Sequence, residues 1–404
     1  MRVFLINLLT TAVLLVVCVG ALEVGLRLYY FGSVSPFIGG PKLYKPDAQV
    51  GFVLNPNLKS SQQRPDFIVP VTTNSLGLRS PEIAAKAGAF RIAVLGDSHV
   101  FGSGLADEET LPAQLQKALN TLSGPGRFEV INAASPAHNT VQALIQHKRL
   151  AEKINADLWI LGFTAENDIQ FNTAALRSFM TNGPRRPVAS LNSDGALEFD
   201  YSGAERYHRK NKWRLEGKLQ DRPWYENTAV YLRGKIAWKG FGGPKEFDPN
   251  ITLGAPYLES FSPEYRIATT ANTDYDALWQ EGWAVTKALI LAIRDWSTAQ
   301  GAGFAMVSMP SDVQFKPGTK ERFLERFPNL KLDDQRADRD LKAFGDAQTI
   351  PVLDAYSPLA EARANGLTNF HYSLFDSHML PVAHEIMAKA LARQLVDEKL
   401  VPVN

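Results

Sequence analysis

The sequence predicts an α/β protein with a parallel sheet of about five strands and helices on both faces. Two observations predict it. From residue 91 onward, short apolar runs alternate with longer stretches whose apolar residues recur at helical spacing, in the chain order βαβαβ…αβαβα. The runs themselves are continuously apolar, as expected of strands buried on both faces. The chain has 404 residues, 45% of them hydrophobic and 21% charged, which suffices for one large domain or two modest ones.

The elements follow in order. Val3 to Leu22 carries no charge and is flanked by Arg2, Glu23 and Arg27. At helical rise it spans roughly 30 Å, the thickness of a bilayer core. Apolar character continues through Val24, Leu26, Leu28, Tyr29, Tyr30 and Phe31, which suits an uncleaved anchor with an aromatic end. A cleaved signal peptide is the competing reading, with Val19 and Ala21 before the cut. Residues 1–31 are therefore assigned to a single-pass anchor, with Arg2 favouring a cytoplasmic N-terminus and the remaining chain outside the cytoplasm. Cleavage would leave a secreted or periplasmic protein.

Residues 32–90 are rich in Pro, Gly and Asn and read as short strands and turns. The main domain, 91–397, begins with the strand Ile92–Leu95. A helix within 108–122 carries Leu111, Leu115, Leu119 and Leu122, followed by a strand at Phe128–Asn132. The next helix places Ala143, His147, Leu150 and Ile154 on one face, and Leu158–Phe163 forms a third strand. An insertion at about 175–272 breaks this rhythm. It holds the aromatics Tyr201, Tyr207, Trp213, Trp224, Tyr225, Tyr231 and Trp238. Between 201 and 240 there are ten Lys/Arg against four Asp/Glu. A solvated basic face is the plain reading; a lid, an anionic-glycan surface and contact with membrane phosphates are the others. Regularity resumes with a helix at about 273–299 (Leu278, Trp283, Leu289, Ile290, Ile293). Strands at Phe304–Met309 and Ile350–Leu353 and a C-terminal helix with Ile386, Met387, Ala390, Leu391 and Leu395 complete the pattern.

Chemistry concentrates where strands end. Gly96-Asp97-Ser98 follows the first core strand, at the sheet edge where open α/β proteins collect ligands. A nucleophilic Ser98 needs a base, an orienting acid and donors for the oxyanion. Asp376-Ser377-His378, before the last helix, supplies His378 as base and Asp376 as its partner. Asn132 through Thr140 and Asn167-Asp168 follow the second and third strands. The Asn167 amide, with the backbone N–H groups of Ser98 and Ala137, suits an oxyanion hole. His384 reads as a structural histidine at a helix start and His147 as a core residue.

Together these four segments resemble the SGNH (GDSL-type) hydrolase family, with His99 where Leu is frequent. In the second block Ala137 holds the place of a glycine whose N–H serves the oxyanion, a role open to alanine only if its backbone suits a residue with Cβ. The last block, Asp376-Ser377-His378, is one residue shorter than the usual Asp-x-x-His. With Ala383-His384 it is similar to the form in membrane-anchored relatives, as is the lead-in Thr73-Asn-Ser-Leu-Gly-Leu-Arg79. The resemblance implies a flavodoxin-like three-layer α/β/α fold and a Ser98–His378–Asp376 triad hydrolysing esters without cofactor or metal. The expected partner is an acylated small molecule, glycan or lipid.

Two alternatives use the same residues: an O-acyltransferase on an extracytoplasmic polysaccharide, and a non-catalytic glycan-binding protein at the membrane. A net charge of +1 leaves no global field for nucleic acid. The single cysteine, Cys18, rules out zinc-type cysteine spacing and disulfides within the chain. The seven histidines show no His-Glu-x-x-His pattern. Oligomeric state is not legible.

Overall fold

A computed structural model describes residues 1–31, 34, 42–63, 67–86, 88–178, 186–211, 225, 228–231, 233–234, 275–326, 333–372 and 377–402. The chain opens with helix α1 (Arg2–Phe31), exposed along most of its length, with 28 residues apolar enough to cross a membrane or act as a signal sequence. Two antiparallel hairpins follow: β1 (Tyr44–Asp47) with β2 (Gly51–Leu54), and β3 (Lys59–Gln63) with β4 (Ile68–Thr72).

The core domain begins with β5 (Phe90–Leu95), α2 (Ser98–Phe101) and α3 (Leu111–Ser123), then β6 (Phe128–Asn132), α4 (Thr140–Ile154) and β7 (Leu158–Phe163). Helices α5 (Ala165–Asn172) and α6 (Ala174–Ser178) lead into the insertion. Its described part is a hairpin of β8 (Val188–Leu191) and β9 (Leu197–Asp200) followed by α7 (Ser202–Lys210), which packs on β1 and β2. Trp213, Trp224 and Trp238 lie outside the described residues. The chain closes with α8 (Tyr275–Ala299), β10 (Gly303–Ser308), α9 (Asp312–Phe315), α10 (Thr319–Arg326), α11 (Arg336–Gln348), β11 (Val352–Leu353), α12 (Tyr356–Ala364) and α13 (Pro381–Asp397).

Five strands form one parallel sheet in the order β11-β10-β7-β5-β6, as the alternation of runs predicts. Successive side chains point to opposite faces, so each strand feeds two cores. Ala93, Leu95, Trp159, Leu161 and Met306 meet Leu144 and Ile154 of α4 and Leu289, Ile290 and Ile293 of α8. Ile92, Val94, Ile160 and Val307 face Leu115 and Leu119 of α3 and Met387, Leu391 and Leu395 of α13. This is the three-layer α/β/α arrangement. Leu122, placed with the core by its spacing, is instead 53% exposed near the end of α3. His147 is fully buried against Trp159, with ring centroids 4.3 Å apart, and shares a hydrogen bond with Ser297. The fifth strand is shorter than its run: only Val352 and Leu353 pair with β10.

At the opposite edge, side chains close the outer side of β6. The N–H groups of Phe128, Val130 and Asn132 donate to Asn120 Oδ1, Gln116 Oε1 and Ser80 Oγ at 2.8–2.9 Å. In the middle of the sheet Gly162 lets α2 approach β7, because a Cβ there would overlap the Val100 side chain. We expect Gly162→Ala to cost about 1–3 kcal/mol of stability through overpacking, read as a lower denaturant midpoint. An unchanged midpoint would show that this contact is slack.

Candidate active site

Leu95 ends a fully buried strand, and the chain turns through Gly96 into α2 with Ser98 as the first helical residue. Asp97 caps that helix, its Oδ1 accepting the His99 N–H at 2.8 Å. The turn closes at Gly102, which has φ +80 and donates its N–H to the Ser98 carbonyl. Ser98 is half-buried, whereas Asp97, His99, Val100 and Phe101 are buried.

The two other loops at this edge arrive beside it. Ser135 N–H donates to the Gly96 carbonyl at 3.1 Å, and the turn from Ser135 to His138 carries Ala137 at its exposed tip. Ala137 has φ +63, so it adopts the left-handed backbone a glycine would supply, despite its Cβ. After β7, Asn167 in the first turn of α5 donates from Nδ2 to Asp97 Oδ2 through a short hydrogen bond. A primary amide has two N–H donors; with one held by Asp97, the second is oriented by it.

Asp168 lies behind Asn167. It accepts from Thr140 Oγ1 at 2.9 Å and from Thr164 N–H at 2.8 Å, and it is 4% exposed. Burial first, and then the charge of Asp97, push its carboxyl up to about 8, so it is protonated at neutral pH.

His378 stands on the loop before α13. Its carbonyl accepts the Tyr372 N–H at 3.1 Å, and His371 pairs with Met379 in an isolated antiparallel bridge. The His378 ring lies 5.0 Å from that of His99, at 39°. Asp376 lies outside the described residues. His384 is buried inside α13, in keeping with a structural role. Burial and the nearby His99 and His378 hold it down to about 3, and His371 is depressed similarly, so both are neutral.

Side chains from the segment before the first core strand support this edge. Arg79, 4% exposed, donates to the carbonyls of Phe101, Gly102 and Leu105, pairs with Asp107 at 2.7 Å, and sits 4.7 Å over the Phe101 ring. The Asn74 turn positions it: Asn74 Oδ1 accepts from the N–H groups of Leu76 and Leu78, with Gly77 at φ +76 between them. Gln62 completes the support, donating to Ser103 Oγ and accepting from Gly104 N–H, while the Tyr372 hydroxyl donates to the Gly104 carbonyl. On the far side of Ala137, the Arg186 guanidinium lies 4.7 Å over Phe171 and 5.9 Å over Phe52. Phe52 also meets the His138 ring edge-on at 5.5 Å.

No family model matches the chain, and no curated protein matches it. Similar solved structures do exist. They include a putative acylhydrolase, GDSL-type lipolytic proteins and an acetylxylan esterase. A GDSL-like lipase from Bacteroides thetaiotaomicron is 11% identical, with a TM-score of 0.33 over 79% of this chain and 92% of that one. A member of the lipolytic G-D-S-L family from Veillonella parvula is 11% identical, with a TM-score of 0.33 over 76% and 97%. A catalytic mutant of an acetylxylan esterase from Geobacillus stearothermophilus is 10% identical, with a TM-score of 0.34 over 77% and 96%.

Two predictions follow from the site's geometry. Asp168 titrates near 3.8 when unfolded and at about 8 when folded. The native state therefore holds the extra proton between these values, and stability falls as pH rises across that window. Asp168→Asn should flatten this part of the melting-temperature profile relative to the parent, and parallel profiles would contradict the buried, protonated acid. At Ala137, glycine should preserve folding to within about 1 kcal/mol, whereas Ala137→Val should lose about 1–2 kcal/mol, since β-branched residues resist positive φ. Chemical denaturation compares the two.

Proposed function

We propose that this chain is a serine ester hydrolase of the SGNH (GDSL) type, held at the membrane by α1 with its catalytic domain outside the cytoplasm. The observation that carries the reading is the link between strand ends. Asp97 caps the helix that begins at Ser98 and also holds the Asn167 amide, while the His378 ring packs on His99, next to Ser98. Nucleophile, base and oxyanion donor thus come from three separate segments tied at one edge.

In the proposed reaction His378 accepts the Ser98 hydroxyl proton as Oγ attacks the ester carbonyl. The oxyanion is held by the N–H groups of Ser98 and Ala137 and by the Asn167 amide. Collapse breaks the ester C–O bond, and the alcohol leaves with the proton from His378. Water then attacks the acyl-Ser98 ester with His378 again as base, releasing a carboxylic acid. Asp376 steadies the imidazolium.

The substrate class is an O-acyl group on an extracytoplasmic glycan or lipid. The half-exposed wall of Phe52, Phe171 and Arg186 beside the Ala137 loop favours a glycan, because ring faces and a planar guanidinium suit sugar faces and their oxygens. With a sugar hydroxyl in place of water, the same residues perform O-acyl transfer, and that wall supports this second reading equally.

The test uses the full chain in detergent with an aryl acetate. Ser98→Ala should lower kcat/KM by roughly 10³-fold or more, and Asn167→Ala by about 10²–10³. Hydrolysis at the parental rate by Ser98→Ala sinks the reading. Fluorophosphonate labelling that depends on Ser98 separates an enzyme from an inert binding protein. Acylated glycan formed without free acid assigns transfer.

A further inference from the structure

Helix α1 is tied to the insertion. Near its C-terminal end, Glu23 Oε1 accepts the N–H of Ala229 at 2.9 Å and Oε2 the N–H of Val230 at 2.8 Å, more than 200 residues away in the chain. The same carboxylate pairs with Arg27 one turn further along α1 at 2.6 Å. Thr228 Oγ1 accepts the Tyr231 N–H, and Ala229 is fully buried. Tyr225 and Tyr231 meet edge-to-face at 5.4 Å, with Tyr225 45% exposed and Tyr29 of α1 81% exposed.

The depth of this contact follows from the sequence of α1. Val3 to Leu22 spans about one hydrocarbon core, so Glu23 and Arg27 fall at its boundary, where charged groups keep their hydration. The amides bound to Glu23, and the tyrosines next to them, then lie at headgroup level. Aromatic rings with one polar end favour that layer.

We propose that Tyr225 and Thr228–Tyr231, fastened to Glu23, form a phospholipid-headgroup contact that holds the catalytic domain against the bilayer. The inference rests on the anchor reading and adds a second point of attachment to it. A domain held at two points keeps a fixed face toward the membrane, whereas a domain on a single helix swivels.

The experiment uses the full chain in vesicles of phosphatidylcholine and phosphatidylglycerol. Cys18→Ser makes an introduced cysteine unique. A fluorophore is attached at Tyr225→Cys or, as control, at Leu122→Cys, which lies on α3. Headgroup spin-labelled lipid should quench the label at 225 several-fold more than that at 122, and adding Glu23→Gln should remove the difference. Exchange of the Ala229 and Val230 amides should accelerate roughly tenfold in Glu23→Gln without any label, from loss of a charge-assisted acceptor. Equal quenching at 225 and 122 in protein that survives an alkaline wash overturns the headgroup contact and leaves the anchor intact. Release of the protein by that wash, or a processed N-terminus, overturns the anchor and the contact with it.

Discussion

A buried guanidinium underlies the candidate site. Arg79 delivers its donors to the backbone carbonyls of Phe101, Gly102 and Leu105 around the end of α2 and to that of Pro70, with Asp107 as its only ion-pair partner among the described residues. The first three lie where a short helix stops and the chain doubles back, and no regular ladder serves them. One planar side chain therefore does the work of a missing element. The helix that begins at Ser98 has a single turn and could not hold its position through its own hydrogen bonds. It depends on Arg79 from below, Val100 against Gly162 at its side and the Asp97 cap at its start.

Asp97 and Asp168 divide the electrostatic roles. Asp97 spends its oxygens on a helix cap and on the Asn167 amide, and it faces a neighbouring acid that burial keeps protonated. Two ionised carboxylates in that space would repel. The protonated partner lets the other act as a fixed acceptor, so the direction of the Asn167 amide is set by the fold.

Much of the core was legible because burial on both faces writes itself as uninterrupted apolar runs. Leu158–Phe163 and Phe128–Asn132 coincide with strands β7 and β6, and the abrupt end of the run Ile92–Leu95 is what marks Ser98 as a candidate. Leu122 misled because helical spacing continues for a turn after the neighbouring layer has ended. β11 is shorter than its run because the Ile350 N–H serves the Gly345 carbonyl near the end of α11 instead of β10. The Arg79 clamp was hidden for another reason: its partners are main-chain carbonyls 9 to 26 residues away, and carbonyls leave no trace in side-chain pattern. The left-handed backbone at Ala137 was posed as a condition by the sequence, and only the fold answers it. Protonation of Asp168 depends on what surrounds it in space, which a neighbouring Asn167 does not reveal.

The two rims of the sheet have a consequence for contact between copies of the chain. One rim is a two-residue strand; the other has its outward amides occupied by Asn120, Gln116 and Ser80. Open rims are templates on which another chain extends the sheet. This sheet offers a newcomer two residues at one rim and amides already bonded at the other, so a further strand gains few main-chain hydrogen bonds at either.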